Sequence, residues 1–420
     1  KMLYDNALLL RAYTSWWRAT GSPLARRVVE EVADFLVRDL GTPQGGFASS
    51  LDADAAGVEG LTYAWTPAQL GEVLGAADGV RAATLLEVTP EGTFEHGSST
   101  LQLLRDPDAA DTVWFGSVRA RLLAARADRP QPGRDDKVVT SWNGLAITAL
   151  AGAGAVLGRP DWVEAAARCA DHVLSVHVSD GRLLRASRDG EAGRAEAVAD
   201  DLGNLAEGLL ALHQATGDPR WLDEAARLLD DALARFGADD GGFHDTAVDA
   251  ESLYLRPRNA SDNAEPSGQS ALAGALVTLG ALTGDPVTIE RGARATEAGL
   301  GLAALDPRFA GWSLAVAEAI AAGPVQVAVV GDGPRASELL AAARGTTSPG
   351  AVVVAGAPDA RGIPLLADRP LVQGNPAAYV CRGFVCDLPV TDVAGLEAAL
   401  SRTGDDGSPS GPSGQSTVAR

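Results

Sequence analysis

The residues best equipped for chemistry gather in four stretches of the chain. Phe47 to Trp65 carries Asp52, Asp54, Glu59, Tyr63 and Trp65, and Asp135-Asp136-Lys137 runs up to Trp142-Asn143. Asp200 and Asp201 stand side by side, and Phe243 to Ser270 holds His244, Asp245, Tyr254, Arg256, Arg258, Asp262 and Glu265. Carboxylates and amides bond sugar hydroxyls, aromatic faces support sugar rings, and two carboxylates flanking a glycosidic oxygen cut the bond. A hydrolytic pair is expected among Asp54, Glu59, Asp136 and Asp201, with Asp52, Tyr63, Trp65, Lys137, Trp142, Asn143, His244, Arg258 and Asp262 touching substrate.

A plainer reading competes at each position. An Asp ahead of a helix caps it and favours the positive end of its dipole, which covers Asp136, Asp201 and Asp262 taken singly. Trp65, Trp142 and Tyr63 taken singly serve as core wedges. An epimerase would need a pair of imidazoles to remove and return a proton. Of five histidines, His172 and His213 fall inside helical patterns, His177 near the end of one and His96 in an irregular region, leaving His244 alone among the acids. There is no GxSxG nucleophile turn, and no zinc-ligand spacing. Cys381 and Cys386 are too far apart for a redox CxxC and read, with Cys169, as buried thiols. No metal or cofactor is expected.

The elements that must position these residues follow a repeat of two helices. The first helix of each unit starts at Asp5-Asn6-Ala7-Leu8, Trp142-Asn143-Gly144-Leu145, Leu202-Gly203-Asn204-Leu205 or Ser267-Gly268-Gln269-Ser270, and continues small and apolar nearly all round. Such helices are buried. A tight break follows at Gly21-Ser22-Pro23, Gly158-Arg159-Pro160, Gly217-Asp218-Pro219 and Gly284-Asp285-Pro286, where Gly ends one helix and Pro opens the next. The second helix is amphipathic, as in Trp221 to Leu229, and belongs outside. A Gly-aromatic or Gly-aliphatic return such as Gly45-Gly46-Phe47 or Gly241-Gly242-Phe243 then leads through a longer connector to the next buried helix. Stacked units of this kind bury a continuous core, and an α/α toroid of about six hairpins is the expected closure.

In a toroid the short breaks lie at one rim and the long, acid-rich connectors at the other. Loops on a rigid scaffold carry function. Residues 62–130 must supply a less regular hairpin, with one helix opening at Pro67 and another over Thr112 to Ala127. From Pro324 the pattern changes to β-branched runs, Val325 to Val330 and Ala351 to Val354, around a helix. The expected organisation is a mainly α protein: a toroid over 1–322, a small α/β appendage over 323–402 and a disordered Gly/Ser/Pro tail over 403–420. Gly331 and Gly333 read as a strand-to-helix turn, because the third glycine of a nucleotide fingerprint is missing.

Composition narrows the partners. The 420-residue chain is 46% hydrophobic and carries a net charge of -20, which repels phosphate backbones and argues against nucleic acid. No run of eighteen uncharged apolar residues is present, so no membrane partner is expected. Three cysteines fit a reducing, cytoplasmic setting.

Several motifs together resemble a known family. They are Lys1-Met2-Leu3-Tyr4-Asp5-Asn6, Leu51-Asp52-Ala53-Asp54, Val58-Glu59-Gly60, the block from Arg134-Asp135-Asp136-Lys137 to Trp142-Asn143-Gly144, Pro266-Ser267-Gly268-Gln269-Ser270, Ala378-Tyr379-Val380-Cys381 and Cys386-Asp387-Leu388-Pro389. Their pattern is similar to the thioredoxin-domain-containing, spermatogenesis-associated protein 20 family, across nearly the whole chain. His244 after Gly-Gly-Phe and Gln269 in place of Asn depart from that family's pattern. The resemblance implies a toroid like those of six-hairpin glycosidases and of N-acylglucosamine and cellobiose epimerases. It also implies a thioredoxin-like domain in cis in a complete protein. The expected function is a carbohydrate-active or carbohydrate-binding protein taking a small-molecule or oligosaccharide ligand, with carboxylate-pair glycoside hydrolysis as its chemistry. The alternatives are a non-catalytic scaffold partnering the thioredoxin-like domain and, after it, a sugar 2-epimerase.

Overall fold

The computed structural model describes residues 1–251 and 254–402; the expected disordered tail at 403–420 lies outside the described residues. The chain forms two compact units, Lys1 with Ser50–Asp135, and Met2–Ser49 with the chain from Asp136 onward. This division falls inside the stretch expected to form the toroid. The larger unit starts with α1 (Leu3–Thr20) and α2 (Pro23–Phe35). The smaller holds α3 (Pro67–Leu74), α4 (Ala76–Leu85) and α5 (Thr112–Ala127) around a core of Trp65, Leu70, Phe115 and Leu122.

The larger unit resumes with the hairpins α6 (Thr140–Leu157) and α7 (Pro160–His177), α8 (Ala199–Thr216) and α9 (Pro219–Arg235), and α10 (Gly268–Thr283) and α11 (Pro286–Ala303), followed by α12 (Gly311–Ala322). Their breaks are local chemistry. Gly21, Gly158, Gly217 and Gly284 each take a left-handed φ between 65° and 75° that ends the inner helix. Ser22, Asp218 and Asp285 accept backbone N–H groups at the start of the outer one, and Pro occupies its first turn. Inner helices succeed one another as α1, α6, α8, α10 and α12. Arg11 of α1 lies 4.4 Å over the Trp312 ring of α12, which returns the series to its start. The result is the mainly α, α/α toroid architecture expected from the repeat.

Close approach of the inner helices requires small residues. A Cβ on Gly144 would stand 2.4 Å from the backbone of Asn204, and one on Gly203 would stand 2.7 Å from Leu272 N. The outer helices seal the core with Trp162 and Trp221, both buried in first turns.

The appendage is a four-stranded sheet in the order Val352–Gly356, Val325–Val330, Ala377–Arg382, Val385–Cys386, its first pair parallel and the others antiparallel. Helices α13 (Gly333–Arg344) and α14 (Val393–Leu400) pack on it through Leu339 and Leu396. Arg344 fastens this layer to the ring by donating to the carbonyls of Ala155, Gln214 and Ala215 at the C-terminal ends of α6 and α8. One sequence expectation is corrected here. Cys381 and Cys386 are joined in a disulfide. They sit directly opposite each other in an antiparallel pair of strands, a proximity that the register creates and spacing alone did not reveal. Cys169 is the free, buried thiol, and burial raises its pKa.

Candidate functional site

In the larger unit a cluster forms where the inner helices begin. Tyr4, in the first turn of α1, meets Trp142, in the first turn of α6, edge to face with ring centroids 4.9 Å apart. Glu265 lies in the connector just before α10 and is half-buried. Burial raises its carboxyl pKa, the charges of Asp200 and Asp5 push the same way, and Trp142 and Arg185 offset part of the rise. The Tyr4 phenol is raised by burial and then by Asp5 and Glu265, so these groups share one environment. Glu265 Oε2 and Trp142 Nε1 are both buried; the indole N–H opposes part of the rise at the Glu265 carboxyl without closing to full hydrogen-bond geometry. His244 Nδ1 is buried without a partner. Buried polar atoms of this sort are uncommon in folded proteins and mark places where a ligand or water completes the bonding.

Three residues expected to touch or cut substrate are buried and held by hydrogen bonds within the chain. Asp201 is fully buried; it accepts from Ser141 N and Val198 N at 2.9 Å and from Arg185 Nη1 at 2.8 Å. Burial pushes its carboxyl upward, reinforced by Asp200 and opposed by Arg185. Asn143 is buried with its amide bonded to both Phe47 N and Phe47 O, to Val139 O and to Cys169 Sγ. Asp262 is buried and accepts from Ser267 N, Ser270 Oγ, Trp312 N and Ser313 N, tying the starts of α10 and α12 together. Such carboxylates cap helices, which is the plainer reading of the sequence.

Arg258 is also committed, in a two-pronged ion pair with Asp240 at 2.6 and 2.8 Å. Asp136 is half-buried and Lys137 exposed, just ahead of α6.

The remaining expected residues belong to the smaller unit. Asp54 and Glu59 face each other across a two-stranded hairpin, both exposed, with Asp52 exposed just before it. Tyr63 has Lys1 Nζ 3.4 Å and the Arg126 guanidinium 5.1 Å from its ring centroid. Trp65 is a core residue of that unit, its ring covered by Arg129 at 3.6 Å, so it offers no face to a sugar. The four expected catalytic acids are thus divided: Asp54 and Glu59 are paired in one unit, and Asp136 and Asp201 are in the other.

Glu265, Tyr4, Asp5, Arg185 and Asp200 were absent from the expected site. The sequence did place Glu265 in an acid-rich connector, next to Pro266 and the capping Ser267. Its partial burial beside an aromatic is a tertiary property. Among the described residues no group of three or more His, Cys, Asp or Glu is arranged to hold a metal ion. Likewise, no helix is long and apolar enough to cross a membrane.

No protein-family profile matches the chain. Human spermatogenesis-associated protein 20 is 27% identical over 461 aligned positions, covering 95% of this chain and 58% of its own length. The chain therefore spans somewhat over half of that relative. Among solved structures, an unsaturated glucuronyl hydrolase from a Bacillus species aligns with a TM-score of 0.44 at 13% identity, covering 71% of this chain and 62% of its own. A cellobiose 2-epimerase from Bacillus thermoamylovorans aligns with a TM-score of 0.39 at 10% identity, covering 76% and 60% respectively. By sequence, the chain is similar over nearly its whole length to spermatogenesis-associated protein 20.

Proposed function

We propose that the larger unit binds a mono- or oligosaccharide at the start of its inner helices and that Glu265 is the acid of a carboxylate-pair glycoside hydrolysis. The observation that carries this reading is the half-buried carboxyl of Glu265, its pKa raised by burial, set among the rings of Trp142 and Tyr4. A carboxylic acid whose pKa is raised holds its proton longer and can deliver it to a glycosidic oxygen. Trp142 and Tyr4 supply the aromatic surface on which a sugar ring rests. Asp200 is the second carboxylate: it stands in the first turn of α8 and feels the same field as Glu265. Arg185 lies 3.5 Å from it.

The epimerase reading is less well supplied. His172, His177 and His213 are buried in or at the ends of helices, which leaves His244 without an imidazole partner.

The test uses a glycan array followed by turnover assays on each retained glycan with p-nitrophenyl or reducing-end readout. Glu265→Gln should keep glycan binding and lower turnover roughly a hundredfold or more, the usual worth of a general acid. Unchanged turnover in Glu265→Gln rejects the assigned acid, and an array with no retained glycan rejects the saccharide reading itself.

A further inference from the structure

The larger unit also encloses a cavity of about 620 Å³ inside its ring, lined by inner-helix residues and, at one side, by Thr347 to Val352 of the appendage. Two arginines of α1 line it, Arg11 and Arg18. They are seven residues apart, which puts them on one face of the helix with Cα atoms about 10 Å apart along its axis. Helix α6 and helix α10 carry no charge at all, so cations on an inner helix stand out from the pattern that makes these helices buried.

Neither arginine is neutralised. Arg11 stacks on Trp312, and its Nη1 is buried with no hydrogen-bond partner; Arg18 Nε is in the same condition. Across the cavity Glu207 of α8 leaves Oε2 buried and unpartnered. The Arg18 pKa is lowered by burial and then by the charge of Arg11, as expected of two cations sharing a site with little water. Buried charges left unpaired are costly, and three orphaned polar atoms on one cavity ask for a ligand with matching groups.

We propose that this cavity is a second ligand site, for a small organic anion bearing hydroxyl groups, whose acidic group sits between Arg11 and Arg18 and whose hydroxyl donates to Glu207. The volume falls within the range of small-molecule pockets. Thr148 and Trp312 complete the wall that a polyhydroxylated chain would meet. The site is independent of Glu265 and its neighbours, and so stands or falls separately from the saccharide reading.

The experiment uses the full chain and D-gluconate as probe, with sorbitol as the uncharged control and inorganic phosphate as the anion without carbon hydroxyls. Calorimetric titration should show saturable gluconate binding, weaker phosphate binding and none for sorbitol. Arg11→Met and Arg18→Met should each weaken gluconate at least tenfold. Gly152→Leu provides a variant that keeps the fold, because a Cβ at Gly152 meets nothing within 4 Å and the side chain extends into the cavity it lines. It should abolish gluconate binding with unchanged circular dichroism. Glu265→Gln should leave gluconate binding intact, which separates this site from the other. Absence of gluconate binding, or binding that survives both Arg→Met and Gly152→Leu, overturns the proposal. Phosphate binding as tight as gluconate overturns the part assigned to Glu207.

Discussion

Lowering the pH to 5 should remove stability from the larger unit at His177, in the same direction as at His172 and His213, whose pKa values burial also lowers. Its imidazole is fully buried at the end of α7, with Nδ1 2.7 Å from Thr140 Oγ1 and Nε2 2.7 Å from Ser187 Oγ. Thr140 spends its single hydroxyl proton on Leu184 O at 2.7 Å, so it can only accept from the ring. Nδ1 therefore carries the proton and Nε2 accepts from Ser187, which makes the neutral imidazole the form that this pocket fits. Burial, helped by the nearby His172, lowers the pKa to about 4 from an ordinary value of 6.5. The folded value is below the unfolded one, so the contribution is fully present above pH 6.5 and lost as pH falls towards 4. The whole difference, 6.5 minus 4, is worth about 3.4 kcal/mol at 1.36 kcal/mol per unit, of which about 2 kcal/mol is gone by pH 5.

Urea unfolding of the wild type and of His177→Asn, at pH 7 and at pH 5, isolates this contribution from the carboxylates common to both. The wild type should lose about 2 kcal/mol more than the variant between the two pH values. The imidazole resonance of His177 should stay that of the neutral ring down to near pH 4. A resonance titrating near 6.5, or equal pH losses in both proteins, would refute the assignment of tautomer and environment together.

Two further outcomes test the packing that holds the sites. Asp262→Ala removes the acceptor for two backbone N–H groups at the start of α12 and for Ser267 N and Ser270 Oγ. Leaving such donors buried should cost roughly 3 kcal/mol or more in urea unfolding, and a loss under 1 kcal/mol would mean that α12 is capped some other way. Gly144→Ala should destabilise by about 1–3 kcal/mol, although Ala is worth about 1 kcal/mol over Gly in a helix, because its Cβ would press on the backbone of Asn204 and Leu205; a more stable variant would show that α6 and α8 are free to part.

What the sequence disclosed was local. The breaks between inner and outer helices were legible because Gly with a left-handed φ, a capping Ser or Asp and a following Pro act within a few residues. Burial of individual polar groups was not, because it depends on direction. Asp200 and Asp201 are neighbours on α8, yet about 100° of rotation sends one partly into solvent and the other wholly into the fold. Trp65 and Trp142 are the same residue type, each following an acid-bearing stretch, and the first seals the smaller unit's core while the second stands half-buried beside Tyr4. Arg11 and Arg18 were hidden for the opposite reason: a helix read as buried all round drew attention away from the two charges it carries inward.

The same rotation explains why the Trp142-Asn143-Gly144 block carries so much of the resemblance. Three consecutive residues in the first turn of α6 point in three directions. Trp142 meets Tyr4, Asn143 holds both backbone groups of Phe47, and Gly144 lets α6 touch α8. Gln269 does comparable work in the first turn of α10. Its Oε1 accepts from Phe243 N, and its Nε2 donates to Ala295 O. The side chain reaches the Gly-Gly-Phe return, so α10 carries an amide clamp like that of α6. A connector that leaves from a clamped phenylalanine starts at a fixed point. The acids and aromatics along it then owe their placement to an amide rather than to contacts of their own, which is how a loop such as the one bearing Glu265 can leave polar atoms unpaired without losing its position.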